Sequence, residues 1–154
     1  MTLSQRPDLI VIGAGPAGLA AASQAADHGA AVMLLDEQSA LGGQIYRNIL
    51  SASAQQNTIL GSDYTDGLPL AADIDTKIID YRANATVWKV GTDGYVTFTQ
   101  NGVAQQVCGR HILLATGALE RPIPLPGWTL PGVMTAGAAQ ILLKTSGLVA
   151  RDAV

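Results

Sequence analysis

The 154-residue sequence has few side chains that bind metals or carry out redox chemistry: one cysteine, Cys108, and two histidines, His28 and His111. A single thiol cannot form an internal disulfide, a Cys-x-x-Cys redox pair or a cysteine-based zinc site. Two isolated histidines do not make a metal site either. We therefore expect no metal centre, and the scarcity of cysteine fits a reducing, cytoplasmic compartment.

Charge and long apolar runs are also scarce. Only 14% of the residues are charged, and nine Lys and Arg against twelve Asp and Glu give a net charge of -3. The chain has no basic field for a polyanion, which argues against nucleic-acid binding. The apolar stretch after Asp8 is broken by glycine and proline and is shorter than the ~20 residues that a membrane span needs, so no membrane partner is expected. With 48% hydrophobic residues, the chain is predicted to form one globular domain over residues 1–154.

The first 37 residues predict a β-α-β unit. The stretch LIVIGAGPAGLAAA starts at Leu9, and the aliphatic run over 8–13 is typical of a strand buried on both faces of a parallel sheet, near its centre. Pro16 suits the first turn of a helix over 17–28, which Gly29 would end in a left-handed cap. A second buried strand over 31–35 completes the unit.

The glycine spacing between strand and helix predicts a dinucleotide site. Gly13 allows a sharp turn, Gly15 lets the main chain approach a pyrophosphate, and Gly18 lets the helix pack closely on the strand. Free N–H groups and the positive end of the helix dipole, at Pro16 and Ala17 and the residues after them, would hold the phosphates without a lysine.

Two acids follow the second strand. Asp36 stands eighteen residues after Gly18, where a carboxylate can accept hydrogen bonds from a ribose that lacks a 2′-phosphate. Glu37 is its neighbour. The alternative is that the glycines form only a tight strand-to-helix turn and that both acids are solvated surface groups.

The rest of the chain predicts further sheet structure. Residues 48–76 are expected to be mostly loop, with one helix starting near Pro69. A third strand is predicted over 77–81, and Asp-Gly and Asn-Gly turns separate three antiparallel strands over 85–90, 95–100 and 103–108. The remaining predictions are a buried strand over 110–115 that rejoins the parallel sheet and a helix over 135–146. The predicted fold class is α/β: a Rossmann-like parallel sheet with helices on its faces and a β-meander inserted at 85–108.

A double glycine and a late turn complete this pattern. Gly42-Gly43-Gln44, together with Ala115-Thr116-Gly117, resembles the two-dinucleotide-binding flavoprotein oxidoreductases, in which the first fingerprint binds FAD. The resemblance implies that FAD contacts the following positions: Gly13, Gly15 and Gly18 at the pyrophosphate, Asp36 with Glu37 at the adenosine ribose, Gly42, Gly43 and Gln44 toward the flavin, Val87 at the adenine, and Thr116 and Gly117 where the chain returns to the cofactor.

Two longer segments carry a narrower resemblance. GGQIYR at 42–47 and ATGALERPIPLPGWTLPGVMTAGAAQILLKTSG at 115–147 are similar to the FAD- and NAD-binding subunits of opine oxidases, hydrogen-cyanide synthase and related amine or amino-acid dehydrogenases. This implies oxidation of a C–N bond in a multi-subunit complex. Arg47 could approach the phosphates or the flavin edge, or be a surface residue. No catalytic residue is identified, since hydride transfer to a flavin uses the isoalloxazine itself.

The chain also departs from that family. No cysteine pair follows the double glycine, which excludes a glutathione-reductase-type activity for this chain. Family members continue into a second glycine fingerprint for NAD(P)H, whereas this chain stops at residues 151–154, so an incomplete N-terminal fragment or a split subunit is expected. Missing strands would leave a sheet edge open to homodimerisation. An NAD-dependent dehydrogenase domain and a non-catalytic scaffold subunit remain the alternative functions.

Overall fold

Residues 6–149, the part of the chain described by this computed structural model, contain seven strands and five α-helices. In chain order the elements are β1 (Leu9–Ile12), α1 (Pro16–Asp27), β2 (Val32–Leu35), the 3-10 helix Ile49–Ser51, α2 (Ala54–Leu60), α3 (Ser62–Thr65), α4 (Leu68–Thr76), β3 (Ile79–Arg82), β4 (Ala85–Val90), β5 (Tyr95–Gln100), β6 (Val103–Cys108), β7 (His111–Leu114) and α5 (Ala136–Ser146). The predicted α/β class, with a parallel sheet and a three-stranded antiparallel sheet, is confirmed.

The parallel sheet has the strand order β3-β2-β1-β7, so β1 is an interior strand as predicted. Its side chains alternate between two apolar layers. Val11 packs in a cluster with Leu19 of α1, whereas Ile10 and Ile12 pack in a second cluster with Phe98 of β5. Because helices cover one face and the antiparallel sheet covers the other, the aliphatic run of β1 is buried on both sides.

The antiparallel sheet consists of β4, β5 and β6, which match the predicted bounds residue for residue. Gly94, Asn101 and Gly102 have positive φ values of 85°, 51° and 76°, which the tight turns between these strands require. Along the chain this meander lies between β3 and β7.

The prediction that residues 48–76 are mostly loop was wrong. The segment contains a 3-10 helix and three short α-helices, of which only α4 was anticipated by a helix near Pro69. The Ser and Gln that suggested a loop form a capping box: the Ser53 hydroxyl accepts from the Gln56 N–H at 3.2 Å, and the Gln56 side chain accepts from the Ser53 N–H at 2.9 Å. Tyr64, Ala71 and Ile74 are buried in the core beneath the helical face of the sheet.

Strand β7 rejoins the parallel sheet beside β1, as predicted, but it is not buried. Leu113 is 38% exposed and Leu114 is 63% exposed. The reason is position, because β7 is an edge strand of the described sheet and pairs with β1 alone. An aliphatic sequence therefore identified the strand correctly and its environment incorrectly.

Nothing in residues 6–149 forms a helix with the length and apolar character that crossing a bilayer requires. The expected junction with a second domain, at residues 151–154, lies outside the described residues.

Candidate functional site

The turn between β1 and α1 lies against the chain that leaves β7. Gly13 has a φ of 104°, and a Cβ atom there would overlap the carbonyl oxygen of Ala115 and lie 3.3 Å from the Cα of Thr116. Its N–H donates to the carbonyl of Leu35 at 2.8 Å. Gly13 is therefore required by the protein's own packing, where three parallel strands end at one edge of the sheet.

Gly18 has a similar packing role inside α1. The residue is buried, and a Cβ atom there would overlap the carbonyl oxygen of Gly13. The absence of a side chain thus lets the first turn of the helix sit directly on the turn that precedes it.

Gly15 differs from both of these glycines. Its φ of -76° and ψ of -179° suit any residue, and a Cβ atom there would meet only the Cα of Gly43, at an ordinary 3.9 Å, within the described chain. No side chain caps the start of α1, where Pro16 occupies the first turn and Ala17 is exposed. The first N–H groups of α1 therefore lack a side-chain cap, and the protein's own packing does not require glycine at position 15; an anion at a helix N-terminus needs such uncapped N–H groups.

The Asp36 carboxylate lies at this glycine turn and is only 6% exposed. One oxygen accepts from the N–H of Ala14, and the other accepts from the N–H of Gln38 at 2.6 Å. Asp36 therefore holds the turn in place, a task that the sequence interpretation did not assign to it. Glu37 is exposed, and within the described residues its carboxylate accepts from the Gln38 side chain alone, at 3.2 Å.

The double glycine closes over the same turn. The N–H of Gly42 donates to the carbonyl of Ala14 at 2.9 Å, and a Cβ atom on Gly43 would lie 2.8 Å from the Cα of Gly15. Gly42 and Gly43 have φ values of 113° and 61°. Gly43 and Gly15 pack backbone to backbone because neither has a side chain, whereas a Cβ atom on Gly42 would overlap the carbonyl oxygen of Tyr46. The exposed Gln44 reaches outward, and its amide lies 3.5 Å from the carbonyl of Ala118.

Arg47 lies beside the double glycine. One guanidinium nitrogen, Nη1, donates to the side chain of Gln38 at 3.1 Å. Its Nε is buried and has no partner in the described chain, and the side chain borders a small cavity with Ser39, Ala40 and Gly43. Arg47 is therefore only partly a surface residue, because its Nε is buried and its side chain borders the cavity beside the double glycine.

The three remaining predicted site residues lie on β4 and on the chain that leaves β7. Val87 lies half-buried on β4 opposite Phe98, although β4 begins at the site, where the Ala85 N–H donates to the Asp36 carbonyl at 2.8 Å. Thr116 and Gly117 are exposed. Gly117 has a φ of 72° and open space around its Cα, so the return of the chain is fixed by Ala115 and Thr116 against Gly13.

Two buried ionisable groups near the site were missed at the sequence level. Burial raises the pKa of Tyr81 to about 12, with smaller contributions from the charges of Asp36 and Asp75, and its hydroxyl has no partner among the described residues. Lys144 of α5 donates through Nζ to the carbonyl of Ile45 at 2.6 Å. Neither group carried a sequence signal, since one follows a strand pattern and the other a helix pattern.

A strand, a glycine turn and a helix with an uncapped N-terminus are the fold elements of dinucleotide-binding α/β proteins. The sequence pattern of the pyridine nucleotide-disulphide oxidoreductases matches residues 7–147, and this chain belongs to that family. It corresponds to the FAD-binding domain of flavin-dependent oxidoreductases.

Two curated relatives are similar to this chain in sequence, and one solved structure is similar to it in fold. An opine oxidase subunit from Agrobacterium tumefaciens (strain Ach5) is 52% identical over 94% of this chain and 30% of its own length. Hydrogen cyanide synthase subunit HcnB of Pseudomonas protegens is 40% identical over 91% of this chain and 30% of its own length. L-proline dehydrogenase from P. horikoshii has the same fold, with a TM-score of 0.72 at 19% identity over 94% of this chain and 29% of that one. The chain thus spans about 30% of the length of these two curated relatives.

Proposed function

We propose that this chain holds the diphosphate and adenosine of FAD at the glycine turn that follows β1. The observation that supports this most strongly is that residue 15 is glycine although the protein's packing does not require it. Its backbone angles suit any residue, and a Cβ atom there would meet only the Cα of Gly43, at 3.9 Å, within the described chain. Glycine at such a position is explained by a ligand that approaches the main chain, and FAD is the cofactor class of the family.

The individual residues have distinct proposed tasks. The N–H groups of Ala17 and Gly18 point into the space beside Gly15 and donate to phosphate oxygens, with the helix dipole favouring the negative charge. Asp36 keeps the turn closed through Ala14, and its carboxylate accepts from the ribose hydroxyls, since each oxygen can accept a second hydrogen bond. Val87 offers its backbone to the adenine. The proposed contacts at the remaining positions involve Gly13, Pro16, Glu37, Gly42, Gly43, Gln44, Arg47, Thr116 and Gly117.

The proposed reaction is oxidation of a C–N bond in an amine, an amino acid or an opine, within a complex of several subunits. Bound FAD supplies a hydride acceptor, and the protein supplies binding and orientation. Support comes from the names of the relatives, which are subunits of an opine oxidase and of a hydrogen cyanide synthase. We propose that NAD(P) would bind only in a further domain. We also propose that partner subunits, or a second copy of this chain, pack against the exposed β7 edge.

A competition titration tests the cofactor assignment. The purified chain is titrated with FAD and, separately, with NADH, with flavin fluorescence quenching and calorimetry as readouts. We expect saturable FAD binding and no saturation with NADH at the same concentrations. Binding of NADH alone would favour the NAD-dependent dehydrogenase, and binding of neither nucleotide would favour the scaffold.

A turnover assay tests the proposed reaction. Candidate amines, amino acids and opines are supplied with an artificial electron acceptor, with and without candidate partner subunits. We expect turnover only when the partner subunits are present. A fully assembled complex that binds FAD but reduces no acceptor with any C–N substrate would contradict the proposed reaction.

A further inference from the structure

Lys144 is a buried cation without a carboxylate partner in the described chain. The residue is 5% exposed, and its Nζ donates to the carbonyls of Ile45 at 2.6 Å and Gln44 at 3.3 Å. The ring of Tyr64 lies on another side, with its centroid 5.7 Å from Nζ. The ammonium therefore joins α5 to the turn at 42–47, across about a hundred residues of sequence.

Stability of the fold does not explain this lysine. Desolvation lowers the pKa of Lys144, and the positive charge of Arg47 lowers it further. An apolar side chain of similar length would fill the same space without that penalty. The two carbonyls belong to Gln44 and Ile45, which are themselves exposed residues.

The position of the turn explains it better. Gln44 and Ile45 follow Gly43, which packs directly against Gly15 at the proposed cofactor site, since a Cβ atom on Gly43 would lie 2.8 Å from the Cα of Gly15. Arg47 adds a second cation, and its buried Nε has no hydrogen-bond partner in the described chain. In the described chain neither cation has a carboxylate partner, and both hydrogen-bond to residues beside the turn that is proposed to receive a dianionic group.

We propose that Lys144 is a positioning residue for the cofactor site. Its ammonium fixes the carbonyls of Gln44 and Ile45, which keeps the double glycine against Gly15, and its charge favours an anion in front of the helix. The inference rests on the proposed FAD site and adds a residue to it that lies on another element.

The test uses Lys144→Met, which keeps the length and removes the charge, and Lys144→Arg, which keeps the charge. Lys89→Met is the matched control, since Lys89 is exposed on β4. Hydrogen exchange of a peptide covering 42–48 is measured in the cofactor-free chain, followed by FAD affinity and Tm. We expect Lys144→Met to exchange about tenfold faster in this peptide and to bind FAD about tenfold more weakly, without a fall in Tm. Lys144→Arg is expected to recover most of both losses, and Lys89→Met to behave as wild type.

The two readouts separate this inference from the proposed function. Wild-type exchange and affinity in Lys144→Met would overturn the positioning role while leaving FAD binding intact. A fall in Tm with proportionate losses in every variant at position 144 would also overturn it, because the lysine would then serve the fold alone. If even the wild type fails to bind FAD, the proposed function fails, and the exchange rates still decide whether Lys144 holds the turn.

Discussion

Substitution of Gly15 separates cofactor binding from folding. An alanine at this position keeps the observed φ of -76°, and its Cβ would lie 3.9 Å from the Cα of Gly43. We therefore expect the fold to tolerate Gly15→Ala. The added methyl group projects into the space in front of the first turn of α1, so it should interfere with any phosphate bound there.

The expected magnitudes follow from these contacts. Restriction of the unfolded chain by alanine stabilises by about 0.4–1 kcal/mol, and alanine is a poorer N-cap than glycine by roughly 0.5–1 kcal/mol, so the free energy of unfolding should change by less than about 1 kcal/mol. Loss of one charge-assisted hydrogen bond to the diphosphate costs about 1.5–3 kcal/mol, which weakens FAD binding about 10- to 150-fold. The larger, branched side chain of Gly15→Val should abolish binding.

The matched control is Gly18→Ala, whose Cβ would overlap the carbonyl oxygen of Gly13. This overpacked variant should lose about 1–3 kcal/mol or more of stability. Urea unfolding gives the free energies of unfolding, and fluorescence titration gives the FAD affinities. Unchanged FAD affinity in Gly15→Ala, or a loss of stability as large as that of Gly18→Ala, would show that Gly15 does not serve cofactor binding separately from folding.

Three further variants test other parts of the structure. Asp36→Asn keeps one acceptor for the two N–H groups now bound, so we expect a loss of about 1–3 kcal/mol in urea unfolding; a stability equal to wild type would remove its role in holding the turn. Lys77→Met removes the ion pairs with Asp27 at 2.6 Å and Asp73 at 2.8 Å, which join α1 to α4, and should lower Tm modestly. The pKa of Asp73 is lowered, mainly by Lys77 and then by Ser23, and the pKa of Lys77 is raised, mainly by Asp27 and then by Asp73. The stabilisation by these ion pairs should therefore be complete between the ordinary pKa values of 3.8 and 10.5, and it should decline as pH falls through the folded pKa of Asp73 or rises through that of Lys77. A Tm difference between Lys77→Met and wild type that does not depend on pH would contradict this. Leu114→Lys charges the exposed β7 edge and should shift a dimer toward monomer in sedimentation velocity, whereas a wild-type chain that is already monomeric at all concentrations would end the homodimer proposal.

The first β-α-β unit and the meander could be predicted closely from the sequence. Local patterns determine both: an aliphatic run, a glycine spacing and a helix-stopping glycine in the first case, and Asn-Gly and Asp-Gly turns in the second. The fold brings Gly13, Asp36 and Ala115 together because the carboxyl ends of parallel strands share one edge of a sheet, but the sequence interpretation assigned these residues no contacts with one another.

Two of the three features that were missed depend on contacts between distant parts of the chain. The Ser53–Gln56 capping box is local but uses residue types that also favour loops, so composition alone gave the wrong answer for 48–76. The exposure of Leu114 depends on what lies beside β7, which its own sequence does not encode. Lys144 meets Ile45 only after the sheet has brought α5 to the double glycine.

Amide chemical shifts report directly where the diphosphate of FAD lies on the chain. In an FAD titration of the ¹⁵N-labelled chain, we expect the largest saturable shifts at the N–H groups of Gly15, Ala17 and Gly18. Binding of FAD that leaves these three resonances unmoved while others shift would contradict the account.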